Sequence, residues 1–161
     1  MKKIGIVLCF SALLAGLFAC KSVSTSTAAY YASEPECLGI ERDGSQTLRV
    51  AATGRNKSDA VEQAKKDAVW AVLFKGIRSG NGGCNAKPLI TEVNAGEKYQ
   101  YYFNTFFKDN GEYKNYISME DTRTNTTTAV TRDVQEKWYV TVRVLRPELQ
   151  QKLIQDGILK P

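Results

Sequence analysis

The segment from residue 47 to residue 74 constrains the fold of this chain more than any other. Between Thr47 and Thr53, apolar and polar side chains alternate, which places Leu48, Val50 and Ala52 on one side. This period of two is typical of a strand with one buried face. Gly54 follows and ends the pattern. The sequence therefore predicts a half-buried strand that leads directly into the next element.

A helix follows that strand. Ser58 is a suitable N-cap, and Asp59 and Glu62 place negative charge near the positive end of the helix. From residue 68 to residue 74 the chain is apolar on all sides, which indicates a deeply buried second half. The helix is expected to end at Gly76 or Gly80. Small side chains that would allow close packing on a sheet recur at Ala60, Ala64, Ala68 and Ala71.

The last third of the chain favours strands. Residues 116–124 and 128–135 predict two antiparallel partners around a turn at 125–127, either an exposed hairpin or a sheet with one wet face. Pro147 predicts the start of a final helix that ends at Gly157. The strongest strand precedes that helix, with one face formed by Trp138, Val140, Val142 and Val144. The expected fold is α+β, an antiparallel sheet of about four strands with helices packed on one face.

Aromatic residues are concentrated between residues 93 and 109, where helical spacing places them on one stripe: Tyr99, Tyr102, Phe103, Phe106 and Phe107. This stripe predicts a second helix that packs in the core. The alternative is a stacking platform for sugar rings or peptide. Exposed tyrosines that could then bind a ligand would come from Tyr99, Tyr101, Tyr102, Tyr113 and Tyr116.

The N-terminus has the pattern of an export signal. A short positive region, Met1–Lys3, precedes an apolar stretch from Ile4 to Phe18, shorter than the ~20 residues that a membrane-spanning helix needs. The sequence Leu17-Phe18-Ala19-Cys20 resembles the bacterial lipobox. This resemblance implies that residues 1–19 are a cleaved signal peptide and that Cys20 is lipidated. An ordinary secretory leader and an uncleaved membrane helix are the alternatives.

Residues 20–36 predict a lipidated, flexible tether, because they are small and hydroxyl-rich after Cys20 and show no clear apolar period up to Gly39. Residues 37–161 are then a single α+β domain. Lys21, rather than an aspartate, follows the lipidated residue and weakly favours the outer membrane. The expected location is the cell envelope, on the outer membrane and facing the periplasm.

The cysteines agree with an oxidising compartment. Cys9 would leave with the signal peptide and Cys20 would carry lipid, so Cys37 and Cys84 remain as an even pair. A disulfide between them is the favoured prediction, and two free thiols are the alternative. The chain has no His, and two thiolates alone make no zinc site, so no metal is expected.

The composition also limits the function. The formal charge is +5, of which Lys2 and Lys3 supply two, so the mature protein would carry about +3. This argues against nucleic-acid binding, which usually needs a clustered basic face. Without His, no Ser–His or Cys–His nucleophile can form. We therefore expect no enzyme and no cofactor; a carboxylate hydrolase of cell-wall sugar is a third-ranked hypothesis.

Several residues together resemble a known envelope module. These are the strand and glycine at 48–54, the helix positions Ala60, Ala64, Lys65 and Ala68, and the late strand at 138–142. The order of strand, glycine, alanine-rich helix and strands is similar to that of bacterial membrane-associated lipoproteins and of the N-terminal domain of flagellar assembly protein T. The resemblance covers residues 46–77 and 128–146. It implies non-enzymatic work in the envelope, such as assembly or scaffolding.

The leading hypothesis from the sequence is therefore a lipid-anchored, non-catalytic accessory or scaffold protein that binds another envelope protein. The membrane is its second partner, reached through the lipid. The alternative is a module that binds glycan or peptidoglycan through exposed tyrosines.

Overall fold

The structure, a computed structural model, describes residues 34–118, 127–129 and 136–160. The predicted signal peptide, Cys20 and the predicted tether up to residue 33 lie outside this part of the chain. In the described part, helices and a sheet enclose one apolar core, which confirms the α+β class.

One sheet contains six strand segments among the described residues. Their order is β3-β1-β2-β6-β4, and β5 pairs with β6 beside β4. All the pairings are antiparallel except that between β1 and β3. The segments are β1 (Glu36–Ile40), β2 (Gln46–Gly54), β3 (Ser79–Gly80), β4 (Ile117–Ser118), β5 (Thr127–Ala129) and β6 (Glu136–Val144).

The β2–β6 ladder is the centre of the sheet. It runs without a break from the pair Gln46–Val144 to the pair Gly54–Glu136. The apolar sides predicted for both strands face the core, which confirms the alternation found in the sequence. The buried side chains of this inner face are Leu48, Val50, Ala52, Trp138, Val140, Val142 and Val144.

Helices pack on the inner face. The first helix, α1, is capped by Asn56, whose side-chain oxygen accepts a hydrogen bond of 2.9 Å from the backbone N–H of Asp59. The predicted cap, Ser58, is therefore wrong by two residues. The helices are α1 (Lys57–Trp70), a π-helix (Ala71–Lys75), α2 (Ala95–Lys98), α3 (Gln100–Phe106), a 3₁₀ helix (Glu112–Tyr116) and α4 (Arg146–Gln155).

Three of the alanines predicted to face the sheet do so. Ala60, Ala64 and Ala68 are completely buried, and α1 packs against β2 and β6. A side chain larger than a methyl group at these positions would hold the helix away from the sheet. The small residues thus set the distance between the two layers.

The sheet differs from the prediction in two ways. It is mixed and five strands wide, because the two-residue strand β3 runs parallel beside β1. The first strand lies in a segment predicted to be irregular, and it begins inside the predicted tether. A bulge between Cys37 and Gly39 interrupts its register and hides the alternation that would have identified it.

Two further elements differ from expectation. The helix predicted over 93–109 is divided at Tyr99 into α2 and α3. Of the predicted hairpin strands, only β4 and β5 are described, and both pair with β6; the rest of the hairpin lies outside the described residues. The final helix is confirmed, with Leu149 and Leu153 buried.

Candidate functional site

The Cys37–Cys84 disulfide joins β1 to the glycine-rich loop at 79–85, with 5.8 Å between the Cα atoms. This confirms the predicted pairing. The glycines of the loop lie directly against β1: a Cβ at Gly80 would be 2.4 Å from the carbonyl oxygen of Cys37, and a Cβ at Gly82 would be 2.4 Å from the nitrogen of Gly39. The loop is therefore glycine-rich because it packs on a strand edge.

The π-helix ends in a glycine that the local geometry requires. The N–H of Gly76 donates to the carbonyl of Ala71 at 2.8 Å, the i to i−5 bond of a π-helix. Gly76 has φ +73°, and a Cβ there would lie 1.9 Å from the carbonyl oxygen of Ala86. Since the chain returns so closely, Leu89 and Ile90 can donate to the carbonyls of Val72 and Leu73 at 3.0 and 2.9 Å.

A group of partly exposed rings lies where α1 and the π-helix meet the end of α3. We call Trp70, Phe74 and Phe107 the aromatic patch. The ring centroid of Trp70 is 4.2 Å from that of Phe74 and 5.7 Å from that of Phe107. Although it makes these contacts, Trp70 keeps 39% of its surface exposed. Trp70 therefore presents apolar surface to solvent beside two partly buried rings.

A cavity of about 330 Å³ adjoins the aromatic patch at the end of the π-helix. Lys75 and Arg78 are exposed beside it and have no ion-pair partner among the described residues. The chain enters the described domain at the same place, because Glu34 and Pro35 also line the cavity. The complete lining is Glu34, Pro35, Phe74, Lys75, Gly76 and Arg78.

The outer face of the sheet, which points away from α1, carries a second group of polar and aromatic side chains. The guanidinium carbon of Arg49 lies 5.7 Å from the ring centroid of Tyr139, and the ammonium of Lys137 lies 5.6 Å from the same centroid. Arg49 also forms an ion pair of 2.6 Å with Glu36, while half of its side chain stays exposed. We call Arg49, Thr53, Lys137 and Tyr139 the outer sheet face.

A turn that contains Asp43 and Ser45 lies at one end of this face and is held by hydrogen bonds. The side chain of Asp43 accepts hydrogen bonds from the hydroxyl and the N–H of Ser45, at 2.6 and 2.9 Å, and from Arg143 at 2.5 Å. The bonds from Ser45, reinforced by Arg143, lower the pKa of Asp43 to about 2. Asp43 is therefore ionised at neutral pH, and it holds Arg143 in place.

The predicted ligand-binding tyrosines do not form one surface. Tyr113 is 0% exposed, so it is not among the exposed tyrosines that the sequence offered as possible ligand contacts. Tyr102 donates from its hydroxyl to Asp156 at 2.6 Å, and Tyr116 stacks on Phe106 with centroids 5.9 Å apart. Burial is the main reason that the pKa of both tyrosines is raised. Tyr101, in contrast, is 92% exposed.

Tyr99 lines a large cavity, with a volume of about 610 Å³. Its floor includes Ile90, and its rim carries Lys98, whose ammonium lies 4.9 Å above the ring of Tyr99 and 2.6 Å from Glu92. The volume is in the range of small-molecule sites. The other lining residues are Leu89, Thr91, Gly157, Ile158, Leu159 and Lys160.

The buried Tyr113 belongs to a cluster of hydrogen bonds and ion pairs around Glu62. Its hydroxyl donates to Glu62 on α1 at 2.9 Å, and Lys65 and Lys114 reach the same carboxylate at 2.7 and 3.0 Å. Burial alone would raise the pKa of Glu62, but these three donors outweigh it and lower the pKa to about 2. The cluster fixes α1 to the 3₁₀ helix.

The part of the chain that the structure describes contains no group of three or more His, Cys, Asp or Glu side chains that could hold a metal ion. None of its helices has both the length and the hydrophobicity that crossing a bilayer requires. No family model, no curated protein and no solved structure matches this chain.

Neither the aromatic patch nor the outer sheet face was predicted from the sequence. A signal was present for each. Trp70 and Phe74 are four residues apart on the side of the helix away from the alanines, and Arg49 and Tyr139 occupy outward positions of two predicted strands. For the outer sheet face, the missing information was that β2 and β6 are neighbours, because these strands are about 90 residues apart in sequence.

Proposed function

We propose that this protein is a lipid-anchored, non-catalytic protein of the cell envelope that binds another envelope protein through the outer sheet face. The lipid at Cys20 is proposed from the lipobox-like sequence at 17–20. The observation that carries the binding role is the pair of cations, Arg49 and Lys137, that both lie within 6 Å of the centroid of the Tyr139 ring.

The chemistry of this face favours a protein as the partner. Tyrosine and arginine are enriched among the residues that dominate protein–protein binding energy. Here Arg49 is held in place before binding by Tyr139 and Glu36, so that less side-chain freedom is lost on association. The resemblance to membrane-associated lipoproteins and to the flagellar assembly protein T domain supports the same role in assembly or scaffolding.

Site-specific photocrosslinking in the producing cells tests this proposal. A benzophenone amino acid at Thr53, which is exposed on the outer sheet face, is expected to give one discrete adduct with an envelope protein. The matched control is the same amino acid at Tyr101, which is also exposed but makes no ring contact within the described residues.

The Tyr139→Ala variant sharpens the test. It is expected to reduce the Thr53 adduct by about tenfold, the loss typical of an interface residue worth 1–2 kcal/mol. Tyr101→Ala should leave the adduct unchanged. The proposal is contradicted if Thr53 gives no adduct, or if its adducts match those from position 101 and survive the loss of Tyr139.

The cavity at Tyr99 favours a second candidate function, binding of glycan or peptidoglycan. An aromatic ring beside a carboxylate and ammonium groups can stack on a sugar and bond its hydroxyls. We propose Tyr99, Glu92 and Lys98 as the contacts. Sedimentation with purified sacculi should retain the protein, and Tyr99→Ala should release it while Tyr101→Ala does not. Equal retention of both variants would contradict this function.

A further inference from the structure

The aromatic patch points to a second interaction surface, distinct from the outer sheet face. We propose that Trp70, Phe74, Lys75 and Arg78 form the surface on which the anchored domain rests against a bilayer that carries anionic headgroups. This inference rests on the lipid anchor of the proposed function and adds the orientation of the domain relative to the bilayer.

The composition of this surface suits a membrane interface. Trp70 is exposed although it is one of the largest apolar side chains, and tryptophan is enriched where hydrocarbon meets headgroups. Lys75 and Arg78 are exposed next to it with no ion pair among the described residues, so their charges are available to anionic lipid. Phe74 connects Trp70 with the two cations, since its ring contacts Trp70 and it lines the cavity together with Lys75 and Arg78.

The described part of the chain begins beside this surface. Glu34, the first described residue, and Pro35 line the same cavity as Phe74, Lys75 and Arg78. The thirteen residues between Cys20 and Glu34 can span at most about 45 Å. A tether of this length keeps the patch at high effective concentration near the bilayer, so that weak contacts suffice.

The proposed orientation is compatible with protein binding on the outer sheet face. Ala60, Ala64 and Ala68 face the sheet, and Trp70 lies on the other side of α1. The outer sheet face, with Arg49 and Tyr139, points away from α1. Resting on the helix side would therefore direct that face away from the membrane and toward a partner.

The two tryptophans of the chain provide the probe. Trp138→Phe leaves Trp70 as the only tryptophan, and Trp70→Phe leaves the buried Trp138, which is 9% exposed. The lipidated protein is extracted and reconstituted into vesicles of phosphatidylcholine and phosphatidylglycerol with brominated acyl chains, which quench tryptophan fluorescence at short range. We expect bromine to quench at least half of the Trp70 emission and to leave Trp138 unquenched.

Charge reversal and sedimentation separate the possible outcomes. Lys75→Glu with Arg78→Glu should leave the protein sedimenting with the vesicles but should reduce the quenching of Trp70 at least twofold. A protein that sediments while Trp70 stays unquenched, or while charge reversal changes nothing, overturns the membrane-facing patch alone. A protein that carries no lipid and does not sediment contradicts the anchor of the proposed function.

Discussion

Two regions of this domain are stabilised in different ways. The unit formed by β2, α1 and β6 has a continuous ladder and a row of alanines against the sheet. Its stability is therefore distributed over many similar contacts. The segment from Gly76 to Ser118 has short helices and two two-residue strands, and its path depends on contacts that occur only once as well as on buried side chains. Among these individual contacts are the Cys37–Cys84 disulfide, the close approach at Gly76 and the hydrogen bond from Tyr113 to Glu62.

This difference indicates at which positions a substitution should reduce stability most. In the unit formed by β2, α1 and β6, which we call the repeating unit, a substitution should lower the free energy of unfolding by a moderate amount. In the segment from Gly76 to Ser118, a substitution at one of the individual contacts should lower it more.

Removal of the disulfide should have the largest effect. The bridge closes a loop of 47 residues, for which the chain-entropy relation gives a stabilisation of about 4 kcal/mol. The double variant Cys37→Ala, Cys84→Ala should therefore unfold in urea with a free energy lower by about that amount. An unchanged midpoint would show that the glycine-rich loop is held on β1 without the bridge.

Gly76→Ala should be the next most damaging change, with a loss of about 3 kcal/mol. The added methyl group would overlap the carbonyl oxygen of Ala86, and the positive φ adds strain. Gly83→Ala is a matched control with φ +75° and open space around the Cβ position, so it should lose only the strain, about 1 kcal/mol. Equal losses in thermal unfolding would contradict the proposed close approach.

This contrast also explains how much the sequence could predict. The period of two in β2 and β6 and the four-residue spacing of the alanines in α1 are local signals, and all three elements were predicted from the sequence. The pairing of Cys37 with Cys84 followed from cysteine number and compartment.

The remaining features depend on contacts between distant residues. Strand β3 forms where the disulfide loop lies beside β1, and the buried Tyr113 donates to Glu62, 51 residues away in sequence. The outer sheet face was missed for the same reason, since Arg49 reaches Tyr139 only across paired strands. Periodicity carries no information on such partners.

Within the repeating unit, Ala64→Leu should cost about 2 kcal/mol. Ala64 is completely buried between α1 and the sheet, so a larger side chain must push the two layers apart. Denaturant unfolding measures the loss. Ala64→Gly tests the opposite change and should cost about 1 kcal/mol, mainly through helix propensity. A stabilised leucine variant would mean that the layers are not closely packed at this position.

The smallest predicted effect concerns Glu62, which connects the two regions. Its pKa is about 2 in the folded protein and 4.5 in the unfolded reference, so its stabilisation is present above pH 4.5 and is lost as the pH falls through about 2. Because the carboxylate is partly exposed, we expect about 1 kcal/mol. Glu62→Gln should flatten the acid dependence of unfolding, and Tyr113→Phe should flatten it in part. An identical acid slope in the three proteins would contradict the cluster.

The central claim is that the protein is attached to a membrane by lipid at Cys20. Mass spectrometry of the N-terminal peptide from the membrane fraction tests it most directly. The account predicts a chain that begins at Cys20 and carries a diacylglyceryl group on the sulfur and an acyl chain on the nitrogen. A chain that begins elsewhere, or an unmodified Cys20, would contradict the claim and remove the basis for the proposed orientation.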